Sequence, residues 1–390
     1  MKDLLLRLLI LIGLCGAVCT VIAQGDQVRQ VTDSARQHRR KAVQPKERSW
    51  HISDYISVGG YINTQYEYAR QDLGALGVSE SSVIQVRRAR LDLKGDITPK
   101  IAFRLHGELA NSPKLVDAYV RLKICRYFNL QVGQFKIPFS LENPYGPLDL
   151  EFADNAQVIT ALSGYSDVSG VSSFAFGREI GAMADGTLLR FERDGEQYPM
   201  LSYAVGVFGG NGINVKKDNM AKDVAGRLDF HPFLKNLVLS GSAYWGRYAL
   251  TPDMDGLRLR CAGGAEYKDE RLTVRGEYVW GKTDLLSPDA ADQPVAQRLA
   301  TQGFYMTAGY WFRFGWGGNS TMQQKLRPVL RYDYYERDLA DNSCGSSYYG
   351  AGLDWWPERH LQFRIQYTLK QKRNDPHLGH SLLAMLSVKF

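Results

Sequence analysis

Cysteine is scarce and scattered in this chain. Five occur in 390 residues. Cys15 and Cys19 lie near the start, and Cys125, Cys261 and Cys344 stand far apart with no CxxC pair. That excludes a disulfide framework and a cysteine-based metal site. Long apolar runs are scarcer still: mean hydropathy is −0.30, and only Leu4–Ala23 resembles a membrane-spanning helix. Helical periodicity is missing throughout. So are GxSxG, HExxH and a phosphate loop. His38 and His51 precede the patterned region, and His231, His360, His377 and His380 fall at turns or segment ends. Only His106 lies within a segment, between Arg104 and Glu108. No catalytic constellation emerges, so neither an enzyme nor a cofactor or metal site is expected.

The single apolar run opens the chain after Lys2 and closes on Val21-Ile22-Ala23. It reads as a cleaved signal peptide over 1–23, whereas Leu14 and Val18 disfavour a lipid anchor at Cys15 or Cys19. Charge then redistributes. Of the net +7, residues 1–23 contribute +1 and residues 24–52 contribute +4, so +2 remains for 53–390. The segment 24–52, with Arg29, Arg36, Arg39, Arg40, Lys41, Lys46 and Arg48, reads as a solvated periplasmic stretch, not a nucleic-acid-binding arm.

What is present, from Ser53 onward, is alternation of period two. Gln362, Arg364, Gln366, Thr368 and Lys370 alternate with Leu361, Phe363, Ile365, Tyr367 and Leu369. The segments run to ten residues or more, the length of a tilted strand crossing a bilayer. Aromatic residues gather near segment ends, as at Tyr332, Tyr334, Tyr335, Tyr348, Tyr349, Trp355 and Trp356, in the manner of an interfacial girdle. The fold class expected is all-β, a transmembrane antiparallel β-barrel of about sixteen strands. They fall near 53–69, 82–95, 100–110, 114–124, 127–136, 176–189, 197–209, 220–230, 236–249, 256–268, 271–282, 301–315, 325–337, 346–356, 359–371 and 380–390. Connections after strands 2, 4, 8, 10 and 14 are short, and those after 1, 5, 7 and 11 long, as periplasmic turns and outer loops require. The turns after strands 6 and 12 are longer than that rule favours. The chain ends on Leu382, Ala384, Leu386, Val388 and Phe390, resembling the signal read by the outer-membrane assembly machinery.

Charges do not face hydrocarbon cheaply, so parity sorts the strands. Ala89, Leu91 and Leu93 face lipid, which turns Arg88, Arg90, Asp92 and Lys94 inward. Val116, Ala118, Val120 and Leu122 face lipid, which turns Asp117, Tyr119, Arg121 and Lys123 inward. Arg104, His106, Glu108, Arg275, Arg313, Arg331 and Arg364 follow. Two readings of these cations stand: an anion-attracting ladder, or braces paired with Asp92, Glu108, Asp117, Glu266, Glu277 and Asp333.

Two stretches, Gln85-Val-Arg-Arg-Ala-Arg-Leu-Asp-Leu-Lys-Gly95 and Gly133-Gln-Phe-Lys-Ile-Pro-Phe-Ser-Leu-Glu142, resemble the phosphate-selective porin O and P family. The resemblance extends over roughly 53–390. It implies a trimeric diffusion pore for small hydrophilic or anionic solutes in the bacterial outer membrane, narrowed by an outer loop folded inward. Here that loop is 137–176. It carries Glu142, Asp149, Glu151, Asp154 and Asp167 and no lysine or arginine, a departure from the cation ring that phosphate selectivity wants. A receptor or adhesin acting through its outer loops is the alternative function for the same barrel.

Overall fold

The computed structural model describes residues 50–390 apart from 54, 73, 75–76, 171–173, 217–220, 235, 252, 289–293, 316–322 and 342. The expected signal peptide and nearly all of the basic segment lie outside the described residues. The elements are β1 (Trp50–Ser53), β2 (Ile56–Asp72), β3 (Val78–Thr98), β4 (Ile101–Glu108), β5 (Lys114–Cys125), β6 (Phe128–Lys136) and α1 (Gln157–Leu162). There follow β7 (Arg178–Arg193), β8 (Glu196–Phe208), β9 (Asp223–Phe230), β10 (Leu237–Thr251), β11 (Met254–Lys268) and β12 (Leu272–Pro288). The last are β13 (Pro294–Tyr310), β14 (Phe312–Gly315), β15 (Gln323–Glu336), β16 (Gly345–Glu358), β17 (Leu361–Lys372) and β18 (Leu378–Lys389).

From β2 onward each strand pairs antiparallel with its successor, except that β13 pairs with β15. β18 returns to β2 in register from Gly379↔Gln71 to Lys389↔Tyr61. β13 and β14 both pair with β15 and form one stave broken at Trp311. The result is a closed barrel of sixteen staves. Closure leaves no edge, which is what a strand in hydrocarbon needs, since lipid offers its backbone no hydrogen-bond partner. The seam is finished by two backbone bonds, Phe390 N to Gly60 O (3.0 Å) and Gly60 N to Phe390 O (2.9 Å). Below them β1 pairs with Ser57 and Val58, covering the part of β2 that β18 does not reach.

The alternation holds around the wall. On β17, Gln362, Arg364 and Gln366 are buried while Phe363, Ile365 and Tyr367 are exposed on the outer face. Outer rings stack into an aromatic belt, with Phe304 and Tyr332 centroids 5.5 Å apart, Tyr332 and Tyr349 5.1 Å, and Trp355 and Phe363 5.3 Å. Trp356 leaves the expected belt, because its neighbour Trp355 takes the outward position and the pleat sends Trp356 inward.

Strands are longer than the pattern suggested, which corrects several connections. After β2 only 73–77 intervene, and after β12 only 289–293, so these two loops are short. The turn after β7 is Asp194–Gly195, in keeping with the parity it was expected to break. The connection after β14 lies outside the described residues. Two β-bulges also alter parity. One between Asn63 and Thr64 of β2 leaves Arg87 of β3 unpaired and turns it inward beside Arg88. The other, between His106 and Gly107 of β4, skips Val116, which is fully buried where an outward residue was expected. A bulge inserts one residue, and parity counted across it slips by one.

A Cβ on Gly60 would sit 2.3 Å from the Arg90 carbonyl oxygen and 2.8 Å from the Phe390 ring, whereas one on Gly241 meets nothing within 4 Å. Gly60→Val is therefore expected to abolish the heat-modifiable gel species that marks a closed barrel, and Gly241→Ala to retain it. Normal heat modifiability of the Gly60 variant refutes this account of the seam.

Candidate permeation pathway and its inward loop

The segment between Lys136 and Arg178 enters the barrel. Its neck is tied by Ile137 N to Gly177 O (3.0 Å), and the Asn143 side-chain amide donates to both Ile137 O and Gly177 O (3.1 and 3.0 Å). Lys136 Nζ donates to the Asn143 and Tyr145 carbonyls, each at 2.5 Å. The stretch Gly133–Glu142 supplies this hinge residue by residue. Gly133 adopts φ +131°, and a Cβ there would lie 2.2 Å from the Ala118 oxygen. Phe135, Ile137 and Phe139 are buried. Ser140 Oγ and Leu141 N both donate to Glu277, at 2.8 Å.

Apolar burial seats the loop. Ile137, Phe139, Val158, Ile159 and Leu162 pack against Phe135, Phe208, Ala225, Tyr244, Ala262, Val279 and Tyr305 on the inner wall. Each large side chain buried in this way contributes about 1.5–3 kcal/mol. The helix α1 has no side-chain cap of its own. Instead Asp333 of β15 accepts from Gln157 N at its start (2.9 Å), and Arg260 of β11 donates to Leu162 O at its end. The wall thus places opposite charges at the two ends of the helix dipole.

Ion pairs complete the docking. Arg327 and Arg364 both donate to Leu150 O (3.0 and 2.6 Å) and both pair with Asp354. Arg275 lies between Glu151 of the loop (3.2 Å) and Glu266 of the wall (2.6 Å). Arg260 pairs with Asp167 (2.7 Å), Arg87 with Asp154, and Arg331 donates to Asp154 O (2.7 Å). Glu142 is buried and accepts from Asn155 Nδ2 and Ala156 N. Burial pushes its carboxyl above the usual range, against the opposing pull of Arg275 and Arg331.

The cations read from the sequence divide accordingly. Arg275, Arg331 and Arg364 face inward but lie beneath the loop with almost no accessible surface. Arg90 pairs with Glu108 (2.8 Å), Arg104 with Asp92 (2.7 Å), and Arg121 with Asp185 (2.5 Å). Lys123 meets Asp96 (2.5 Å), and Arg313 meets Glu270 (3.2 Å) at the short-turn end. Arg88 and Lys94 have no carboxylate within ion-pair distance among the described residues. Of the loop acids, Glu142 and Glu151 are buried, Asp154 is engaged by Arg87, and Asp149 lines open space.

That open space is a cavity of about 420 Å³, at the short-turn end of the barrel. Arg90, Lys94, Arg104, Lys136 and Arg178 form one side. Asp117 accepts from Arg178 (2.6 Å), contacts Arg104 (3.4 Å) and bonds His106 Nδ1 (2.9 Å). One carboxylate therefore serves two guanidiniums and an imidazole. A second basin of about 680 Å³, lined by Arg121, Lys123, Arg126, Arg190 and Arg227 with Asp185 and Asp229, opens at the same end.

Sequence reasoning had not placed Arg87, Lys136, Arg178, Arg260 and Arg327 at the site. Arg87 is hidden by the bulge, and Lys136 and Arg178 flank the loop where no strand pattern continues. The signal available for the rest was the loop itself, since five acids without a base demand cations on the wall around them.

Truncating one member of a buried ion pair leaves its partner uncompensated, at a cost of about 3–5 kcal/mol. The double variant Arg327→Ala, Arg364→Ala is expected to loosen the loop and raise single-channel conductance while the barrel stays heat-modifiable. Unchanged conductance shows that these two residues do not hold it. Docking with a raised Glu142 takes up a proton, so it weakens as pH rises through that raised value. Glu142→Gln retains an oxygen acceptor for Asn155 and Ala156, and is expected to flatten conductance between acidic and neutral pH.

Comparison with known proteins agrees with this geometry. The chain is similar to the anion-selective porin from Comamonas acidovorans, at 12% identity over 86% of this chain and 99% of that one, with a TM-score of 0.60. The outer membrane channel DcaP of Acinetobacter baumannii matches at 12% identity over 86% and 97%, with a TM-score of 0.57. The trimer form of OmpT of Vibrio cholerae matches at 10% over 86% and 100%, with a TM-score of 0.52. None of the curated proteins matches. The model of the family described as phosphate-selective porin O and P matches residues 58–282, more than half the chain. The chain belongs to the phosphate-selective porin O and P family and is a channel of the bacterial outer membrane.

Proposed function

We propose that small hydrophilic solutes diffuse passively past the docked loop with a net preference for anions, and that the working unit is a homotrimer. Its role is conduction, not catalysis. The observation that carries the preference is the shortage of carboxylates at the 420 Å³ cavity, whose lining sets Asp92 and Asp149 against Arg90, Lys94, Arg104, Arg178, Arg359 and Lys389, with Asp117 behind it shared by Arg104, Arg178 and His106. The acidic loop adds a reduced opposing field, because Arg87, Arg260, Arg275 and Arg327 engage Asp154, Asp167 and Glu151, leaving Asp149 as its carboxylate on the cavity. Arg88 and Lys94 remain as cations without a carboxylate within ion-pair distance among the described residues. In a narrow, low-dielectric passage such charges concentrate anions. The loop acts as the constriction, and the charged residues of β3, β4, β6 and β7 beside it act with Asp149 on passing solutes. Trimer formation is supported by the trimeric OmpT fold relative. The terminal strand ending in Phe390 suits recognition by the assembly machinery, and the apolar belt meets membrane lipid.

Reversal potentials in a potassium chloride gradient test the preference. The wild-type channel is expected to pass chloride over potassium, and more so at low salt, since screening acts over about 8 Å at physiological ionic strength. Arg88→Gln with Lys94→Gln should shift the reversal potential toward potassium. A wild-type channel that is already cation-selective overturns the proposal.

A further inference from the structure

The 420 Å³ cavity is basic on both sides, but only one side also carries aromatic rings. On β2 and β16 its lining is aromatic, from Tyr61 and Trp356, and the loop roofs it with Pro144, Pro147 and Leu148. Trp356 is held there by the pleat, which gives the outer face to Trp355. Going round the wall from β16 through β18 and β2 to β3, the lining passes from Trp356, with Arg359, His360 and Lys389 beside it, through Phe390 and Tyr61 to Arg90 and Lys94. Inorganic anions need only the basic residues. An apolar surface of this extent, enclosed between wall and loop, offers water-hydrated phosphate or chloride nothing and excludes water from around an organic ring.

We infer that this cavity is a binding subsite for organic carboxylates with an apolar, single-ring body: the carboxylate sits toward Lys94, and the ring lies against Trp356 and the loop prolines. The inference rests on the proposed conduction of anions and names the class of anion favoured. Burying one face of a ring against an indole adds both apolar burial and ring–ring attraction. Acetate shares the charge but lacks the ring, and benzyl alcohol shares the ring but lacks the charge.

Block of the potassium chloride current through the intact channel by benzoate, acetate, benzyl alcohol and inorganic phosphate, added on the short-turn side, separates these contributions. Benzoate is expected to half-block at about tenfold lower concentration than acetate or phosphate, equivalent to about 1.4 kcal/mol, with benzyl alcohol weaker than benzoate. Trp356→Ala is expected to bring benzoate to the level of acetate. Leu148→Asn, in the loop and away from strand pairing, should move it in the same direction. Trp355→Ala, on the outer face, should leave it in place. Equal block by benzoate and acetate in the wild type overturns the inference, as does full benzoate discrimination in both the Trp356 and Leu148 variants. The reversal potential of the same channel keeps the two proposals apart. An anion-selective pore without benzoate discrimination sinks the subsite alone. A cation-selective pore whose benzoate block depends on Trp356 sinks the anion preference and keeps the subsite.

Discussion

Closure of the hydrogen-bond ladder between β18 and β2 is the constraint on which everything else depends. A strand in hydrocarbon has no solvent to satisfy its N–H and C=O groups, so an open sheet is not available to it. Once the ring is shut, every residue must face either lipid or lumen, and charged side chains have one destination. The two bonds between Gly60 and Phe390, with β1 continuing beneath them, complete the ladder at the seam between β2 and the last strand.

Closure creates a lumen too wide for its wall side chains to fill, and the segment between β6 and β7 occupies much of it. The docked loop has the character of a small globular core, with a buried apolar cluster, a capped helix and ion pairs on its perimeter. That core lies against β6 and β8 to β13, and the loop reaches β15, β17 and β18 through Leu150 and Ala153. Open space is left at the short-turn end, beside β2 to β4 and β16 and again beside β5 to β9. The barrel is thus asymmetric inside.

The inward arginines take their roles from this asymmetry. Arg260, Arg275, Arg327 and Arg364 neutralise loop carboxylates or bind loop carbonyls and are withdrawn from solvent. Arg88 and Lys94, both on β3, have no carboxylate within ion-pair distance among the described residues. Burying an ion pair costs desolvation that its mutual attraction only partly returns. Guanidiniums that donate to a carbonyl and a carboxylate together, as Arg327 and Arg364 do, gain the extra bonds that offset this cost. The two readings of the wall cations thus apply to different residues of one barrel.

Strand number, closure and the inward side of most residues were legible from sequence alone, because a period of two and the expulsion of charge from lipid are local rules. The hinge was legible as the stretch Gly133–Glu142, and the loop as the longest break in alternation. Parity failed where a register shift intervened, at Arg87 and at Val116, because a bulge depends on the partner strand and leaves no mark in the pattern of one strand. Which arginines meet solute and which lie beneath the loop was decided only in three dimensions. Ion pairs such as Arg275 with Glu151, or Arg260 with Asp167, join residues about a hundred positions apart, and their choice follows from where the loop's apolar face comes to rest. The meeting of aromatic rings and basic residues at one cavity arises in the same way, from the return of β16 and β18 to β2 when the ring closes.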